Sequence, residues 1–160
     1  MDQINLWIEN QQMILSENKT KSMILNFTKN FQFTTRLQLK QKNVEIVDKI
    51  KMLGTLVNNQ LSWNENCSNL IKKANARMQL LQKVWSFGST RTEMVGLLKL
   101  FCRGILEHTC PVWSSSLTDQ NKSDLERVQK TFLKLILEED YIKIQNGLSL
   151  LHLNTLEEIF

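Results

Sequence analysis

The sequence predicts an α+β protein, with a small antiparallel sheet in the front part of the chain and a three-helix bundle behind it. Apolar and polar residues alternate in short runs between residues 22 and 57, which is typical of strands. From residue 62 onwards, apolar residues recur at helical spacing instead. Strands and helices are segregated along the chain, and this order favours α+β over a strand–helix–strand repeat.

The front part is predicted to begin with a short helix over residues 3–14, because its apolar residues share one face that Met13 and Ile14 close. A polar turn is expected at residues 16–20. Four short runs then have the strand pattern: 22–28, 36–39, 44–47 and 50–57. Gly54 lies inside the last run, where a glycine often marks a bulge or a close approach of two backbones.

The first long helix is predicted to run from a cap at Ser62 or Asn64 to about Trp85. Its apolar residues form one stripe at close to ideal helical spacing. The stripe consists of Cys67, Leu70, Ile71, Ala74, Met78, Leu81 and Trp85. Gly88 lies in the segment that is expected to end this helix.

The second helix is predicted from a cap at Thr90 or Thr92 to about Thr109, with Pro111 ending it. It is apolar nearly all round, so we expect it to be the most buried element. A third helix is predicted to begin near Ser123. Its apolar stripe consists of Leu125, Val128, Phe132, Leu135 and Ile136.

The chain is expected to divide into a strand-rich part at residues 1–60, a helical part at residues 61–138 and an acidic tail at residues 139–160. Charge is unevenly distributed along it. The formal net charge of the chain is +4. Residues 19–51 contain eight basic and two acidic residues, whereas residues 138–160 contain five acidic residues and one lysine. A basic front part fits a surface that faces phosphates. It fits equally well a sheet whose solvent face carries ordinary lysines.

Cysteine use and hydropathy set the expected compartment. Three cysteines without paired spacing make a disulfide framework improbable, so we expect an intracellular, reducing environment. No run approaches about 18 apolar residues, and no membrane span is expected. His108 lies near Cys102 and Cys110, but a zinc site needs more ligands, so buried thiols and a histidine at a helix end are the favoured interpretation.

Motifs of familiar active sites are missing from the printed sequence. It contains no adjacent pair of aspartates and no glycine-rich phosphate loop. The one acidic cluster, residues 138–140, follows a predicted helix end, where the helix dipole disfavours a carboxylate metal site. Four tryptophans are more readily explained by core packing than by stacking on bases.

An ordered series of short motifs resembles one family. The motifs lie at residues 6–8, 15–20, 23–27, 50–57, 61–66, 73–77, 105–108, 112–114, 125–130 and 148–158. Among them are Lys73-Ala74-Asn75-Ala76-Arg77 and Val112-Trp113-Ser114. In this order they resemble the part of non-LTR retrotransposon (jockey-like) reverse transcriptases that follows the Tyr-Ala-Asp-Asp box. The sequence departs from the family at Ser16, Glu17 and Met52, and at Ile159 and Phe160.

The resemblance implies the end of a palm followed by a thumb, and it implies roles for six residues. Lys19 would lie in a palm loop near the phosphates of the incoming nucleotide, where a cation offsets developing charge. Leu53 and Gly54 would lie in the primer-grip hairpin. Three basic residues of the first thumb helix would contact phosphates of the template–primer duplex. These are Lys72, Lys73 and Arg77.

For activity, the resemblance implies a reverse transcriptase fragment that does not polymerise DNA by itself, because polymerisation needs metal ions held by palm carboxylates. The intact family enzyme would use Mg²⁺, whereas we expect no cofactor in this chain. Its expected partners are template–primer nucleic acid and the fingers and palm portion. An uncapped first helix suggests that the chain begins just past the catalytic box. The alternatives are a retained nucleic-acid-binding or structural module, or a decayed product without function.

Overall fold

The computed structural model is an α+β protein that divides into two compact units, Met1–Ser62 and Trp63–Phe160. The structure describes residues 6–8, 10–16, 18–27, 36–39 and 42–137. The predicted acidic tail, residues 139–160, lies outside the described residues. Strands occur in the first unit and the long helices occur in the second, so the predicted fold class is confirmed.

The strands of the first unit are short and pair in twos. They are β1 (Lys21–Ser22), β2 (Gln38–Leu39), β3 (Lys42–Asn43), β4 (Glu45–Ile46), β5 (Lys49–Met52) and β6 (Thr55–Asn58). In the described part of this unit, β2 pairs with β3 and β5 with β6 in antiparallel ladders, whereas β1 and β4 are parallel. The expected single antiparallel sheet is therefore replaced by three separate two-stranded ladders.

The first predicted helix and the first predicted strand are both shorter than expected. Helix is present at residues 6–8 and 10, and Gln12 then adopts the left-handed conformation with φ of 54°. The Met13 N–H donates to the Ile8 carbonyl at 3.1 Å, a bond typical of a helix that ends on a left-handed residue. Met13 and Ile14 therefore lie beyond the helix. The strand predicted at 22–28 is reduced to β1, because a strand needs a partner backbone as well as an alternating pattern.

The predicted strand over residues 50–57 is in fact a hairpin. Leu53 and Gly54 form its turn, with φ of 47° and 91°. Positive φ at both central residues is characteristic of a type I′ turn, whose twist matches that of the flanking strands. Gly54 thus enables a chain reversal between Met52 and Thr55, and the predicted bulge within a single strand is wrong.

The second unit contains three long helical segments. The first is α1 (Asn64–Ser86) and the last is α5 (Asp119–Leu137). Between them lies a segment that we call the broken helix, which consists of α2 (Arg91–Leu97), a π-helical turn (Leu98–Arg103) and α3 (Gly104–Leu106). The short helix α4 (Cys110–Trp113) and a 3-10 turn (Ser114–Ser116) connect the broken helix to α5. α1 packs against the broken helix and α5. Among the described residues, no helix is both long enough and apolar enough to cross a membrane.

α1 and α5 begin side by side. The Asn121 side-chain amide donates to the Asn64 side-chain oxygen at 2.7 Å, and each asparagine lies in the first turn of its helix. The N-cap residue of α1 is Trp63, and no side-chain hydrogen bond caps the helix, so the predicted cap at Ser62 or Asn64 is wrong. The predicted end is confirmed: α1 stops at Ser86, before the turn at Gly88.

A capping box begins the broken helix at Thr90, as one of the two predicted caps. The Glu93 N–H donates to the Thr90 hydroxyl at 3.4 Å, and the Thr90 N–H donates back to the Glu93 carboxylate at 2.8 Å. Each bond satisfies a polar group that the first helical turn leaves without a backbone partner. The donated bonds lower the pKa of Glu93, the backbone bond contributing most.

The broken helix contains a π-helical turn that the sequence did not predict. Its buried residues are Met94, Leu98, Cys102 and Leu106, spaced four apart throughout. In a regular α-helix, three steps of four residues would rotate the stripe by about 120° in total. The wider π turn absorbs this rotation and keeps all four inside. The expectation that this element is the most buried one is wrong, since Leu100 is 75% exposed and the helix at residues 119–137 buries more of its residues.

Two predicted boundaries after the broken helix are also wrong. That helix ends at Leu106, and Pro111 lies at the start of α4, where a proline costs no helical hydrogen bond. α5 begins at Asp119 and not at Ser123, because the hydroxyl of Thr118 accepts the Asn121 N–H at 3.2 Å.

The core of the second unit is formed by the inward stripes of these helices. α1 contributes Cys67, Leu70, Ala74 and Leu81, and α5 contributes Leu125, Val128, Phe132, Leu133, Ile136 and Leu137. Trp63 and Trp113 are buried as well, as core packing predicts. Most of the predicted stripe of α5 is therefore confirmed. In α1 the edge residues Ile71, Met78 and Trp85 remain partly exposed.

Candidate nucleic-acid interface

Lys19 lies in a short turn on the surface of the first unit. The N–H groups of Lys19 and Thr20 donate to the Ser16 carbonyl at 3.2 and 3.1 Å, and the Thr20 hydroxyl donates to the same oxygen at 2.8 Å. The predicted polar turn is thus confirmed. The Lys19 side chain is exposed, so its ammonium group faces solvent.

Leu53 and Gly54 form the tip of the β5–β6 hairpin. The Leu53 side chain is 91% exposed, and Met52 beside it is 57% exposed. A left-handed leucine is uncommon, because its Cβ crowds the backbone. The tip therefore presents apolar side chains to solvent on a backbone turn that most sequences would build from asparagine and glycine.

The three basic residues predicted on the first thumb-like helix are all exposed, but they do not form one face. α1 carries four basic residues and one acidic residue, which gives it a net charge of +3. Successive residues of a helix are about 100° apart around its axis, whereas residues four apart nearly coincide. Lys73 and Arg77 therefore share one side of α1. Lys72 lies on a different side and lines a groove against α5.

Arg77 lies close enough to Cys102 of the π-helical turn to influence its thiol. Burial raises the pKa of Cys102 to about 12, and the nearby Arg77 charge opposes this rise. Burial also raises the pKa of Cys67 to about 11, with a smaller rise from the Asp124 carboxylate. The pKa of Cys110 is raised for the same main reason. None of the three cysteines forms a disulfide, and all three are buried, as expected from the sequence.

These thiols predict a loss of stability in alkaline solution. Their pKa values in the folded chain lie above the ordinary value of 9.0, so the unfolded chain releases its thiol protons first. The free energy of unfolding should therefore be unaffected below about pH 9 and then fall by up to about 1.4 kcal/mol per pH unit for each thiol.

Urea unfolding at a series of pH values from about 8 to about 11 measures this slope. The double variant Cys67→Ala and Cys102→Ala is the control. Its free energy of unfolding should be lower near neutral pH, but it should fall much less above about pH 9 than that of the unchanged protein. An alkaline slope that is the same in both proteins would contradict the prediction.

A groove of about 440 Å³ runs between α1 and α5, entirely within the second unit. Its lining residues come from both helices: Ser68, Ile71, Lys72, Asn75 and Met78 of α1, and Asp124, Arg127, Val128 and Thr131 of α5. The groove is therefore lined by three apolar residues, two cations, one carboxylate and three uncharged polar residues. Lys72 is the one lining residue to which the resemblance gives a role in binding.

The two cations of the groove have different surroundings. Arg127 forms an ion pair with Asp124, which also accepts a hydrogen bond from the Gln120 amide at 3.1 Å. The Arg127 side chain nevertheless remains 72% exposed. Lys72 has no ion-pair partner among the described residues. The groove thus carries a net positive charge and one cation that is free to bind an anion.

The other candidates considered in the sequence were a zinc site near His108 and the acidic cluster at residues 138–140. Within the part of the chain that the structure describes, no group of three or more histidine, cysteine, aspartate or glutamate side chains could hold a metal ion. His108 is exposed, whereas Cys102 and Cys110 are buried. The acidic cluster at residues 138–140 lies outside the described residues.

No protein-family model, curated protein or solved structure matches this chain.

Sequence reasoning missed the opposite wall of the groove. Arg127 belongs to a helix whose apolar stripe was predicted correctly, but that stripe does not show which helix lies across from its polar side. A helical-wheel view of α1 offers a partial signal. Ser68, Lys72 and Asn75 are spaced at i, i+4 and i+7, so they form a single polar row on this helix.

Proposed function

We propose that this chain corresponds to the part of a non-LTR retrotransposon reverse transcriptase that follows the catalytic box, and that its helical unit contacts a template–primer duplex. The observation that carries the proposal is the ordered series of motifs, which extends from residue 6 to residue 158. Each motif is short, but their shared order along the chain makes coincidence a poor explanation.

The surface of α1 supports the nucleic-acid part of the proposal. Lys73 and Arg77 are exposed, share one side of the helix, and belong to the helix with a net charge of +3. Cations at this spacing suit successive phosphates of a nucleic-acid backbone. Contacts to phosphates position the protein on the nucleic acid and do not depend on the base sequence. Binding of this kind should release counterions and weaken as salt rises.

The hairpin tip supports a second contact in the first unit. Leu53 and Gly54 hold a two-residue turn, and glycine adds no side chain to the tip of the hairpin. An exposed turn of this kind can approach another backbone closely. We propose the primer strand as that partner, and we propose that Lys19 lies near nucleotide phosphates when the remaining parts of the enzyme are present.

A salt titration with a short RNA–DNA hybrid tests the proposal. The full chain should bind the hybrid, and affinity should fall steeply with salt. The double variant Lys73→Gln and Arg77→Gln should bind about tenfold more weakly, because charge-assisted contacts to phosphates are lost. It should also reduce the slope of log affinity against log salt by about 1.8, since each phosphate contact contributes about 0.9.

Lys130→Gln is the matched control, because Lys130 is an exposed cation on α5 that lies outside the groove. It should leave both affinity and slope nearly unchanged. Absent binding, or binding that is insensitive to salt and to the double variant, would refute the nucleic-acid contact. Template-dependent primer extension by the chain alone would refute the proposal that it lacks polymerase activity.

A further inference from the structure

We infer that the groove between α1 and α5 binds a single nucleotide, with its phosphate between Lys72 and Arg127 and its base on the apolar floor. This site lies on a different side of α1 from Lys73 and Arg77. The inference therefore goes beyond duplex binding and does not depend on it.

The α1 wall supplies hydrogen-bond donors. Ser68, Lys72 and Asn75 form one polar row along the helix, and their side chains make no hydrogen bond to any described residue. A hydroxyl, an ammonium and an amide in such a row can bind a phosphate at one point and the polar edge of a base at another.

The α5 wall supplies the guanidinium of Arg127, which forms an ion pair with Asp124 and remains largely exposed. Its planar donors match two phosphate oxygens at once. The Asp124 charge does not repel a phosphate strongly, because Gln120 and Arg127 both donate to that carboxylate.

The floor of the groove is made by Ile71, Met78 and Val128. Aliphatic carbons and a polarisable thioether provide a contact for the face of an aromatic ring. The volume of about 440 Å³ lies in the range of sites for small molecules, which is about 300–1,000 Å³. A cationic rim over an apolar floor therefore fits the two halves of a nucleotide.

The same dimensions disfavour a docked peptide. The lining residues span eleven positions of α1 and eight positions of α5, so the groove is about 10–15 Å long. A stable protein interface needs about 800 Å² on each partner, which is more than this groove can cover.

Titration of the full chain with AMP, followed through the methyl signal of Met78, tests the inference. Inorganic phosphate and adenosine are the probes for the two halves, and a short adenine oligonucleotide tests a nucleotide within a strand. Binding of AMP should shift the Met78 signal with a dissociation constant near or below about 1 mM. Either half alone should bind at least about tenfold more weakly.

Charge variants on the groove make the test specific. Lys72→Gln and Arg127→Gln should each weaken AMP binding about tenfold. Asp124→Asn, which removes the acid, should keep or strengthen it. Lys83→Gln is the control on α1, because Lys83 is exposed and does not line the groove. Far-ultraviolet circular dichroism confirms that each variant is folded.

The outcomes separate clearly. Similar affinities for AMP and the oligonucleotide indicate a free nucleotide as ligand, and a much tighter oligonucleotide indicates a strand; both support the site. Three results would overturn the nucleotide site. Phosphate could bind as tightly as AMP, an acidic peptide could bind where AMP does not, or AMP binding could be insensitive to Lys72→Gln and Arg127→Gln. Duplex binding that still depends on Lys73 and Arg77 would then leave the proposed function standing.

Discussion

Replacing Trp113 with alanine should lower the free energy of unfolding by about 3–5 kcal/mol. Trp113 is completely buried in the helical unit, and its indole N–H donates to the His108 carbonyl at 3.0 Å. Alanine leaves a large cavity and removes that donor. The variant therefore loses both the packing of α4 in the core and the hydrogen bond to the turn before it. Domains of this size are stable by only about 5–15 kcal/mol, so the variant should be barely folded.

Urea unfolding followed by circular dichroism measures the effect, with two controls. Trp113→Phe keeps an aromatic ring but removes the N–H donor, and it should cost about 1–3 kcal/mol. Val112→Ala changes the neighbouring residue, which is 61% exposed, and should cost less than about 0.5 kcal/mol. Equal losses for Trp113→Ala and Val112→Ala would show that Trp113 does not support the core.

Deleting Leu100 should change the free energy of unfolding by less than about 1 kcal/mol, although the deletion lies inside a helix. The π-helical turn behaves as an α-helix with one extra residue, and Leu100 is exposed at that turn. Without it, the buried stripe would be spaced four, three and four residues apart. That spacing keeps Met94, Leu98, Cys102 and Leu106 on one face of a regular α-helix.

Deletion of Lys130 is the matched control. Lys130 is also exposed, but it lies in the regular helix α5. Its removal rotates every later residue by about 100°, and so moves Phe132 to the exposed position of Thr131 and Ile136 to the partly exposed position of Leu135. The cost should exceed about 5 kcal/mol and abolish cooperative unfolding. If both deletions unfold the protein equally, the π turn is more than a one-residue insertion.

The long helices could be predicted from the sequence because their apolar residues recur with the helical period. The α1 prediction was accurate at the far end, where Gly88 can take a positive φ of 85°. The stripe of α5 was predicted for the same reason. Thr90 was one of the two predicted caps, and Glu93 lies three residues later, which is the spacing of the capping box found there.

The strands could not be predicted as well, because pairing depends on residues far apart in the chain. β1 pairs with β4 across more than twenty residues, in parallel, and nothing in either pair of residues specifies this partner. The resemblance implied a hairpin at Leu53 and Gly54, but the residue pattern alone did not indicate it, because positive φ is uncommon for leucine. An asparagine there would have indicated the turn at once.

The candidate site was predicted in part. The exposure of the four basic site residues follows from their charge, since an unpaired charge is costly to bury. These residues are Lys19, Lys72, Lys73 and Arg77. Their division between two sides of α1 follows from helix geometry and was available from spacing alone. Arg127 was not predictable, because its place opposite Lys72 depends on how α5 packs against α1.

Local order in the amino-acid sequence thus decides which segments are helical, where a cap can form and which side of a helix is apolar. These properties depend on residues within about one or two turns of each other. Packing between distant segments decides the remainder: the parallel pairing of β1 and β4, the π turn that keeps Cys102 buried, and the groove between α1 and α5. Those features satisfy buried surfaces and backbone groups that meet only after the chain has folded.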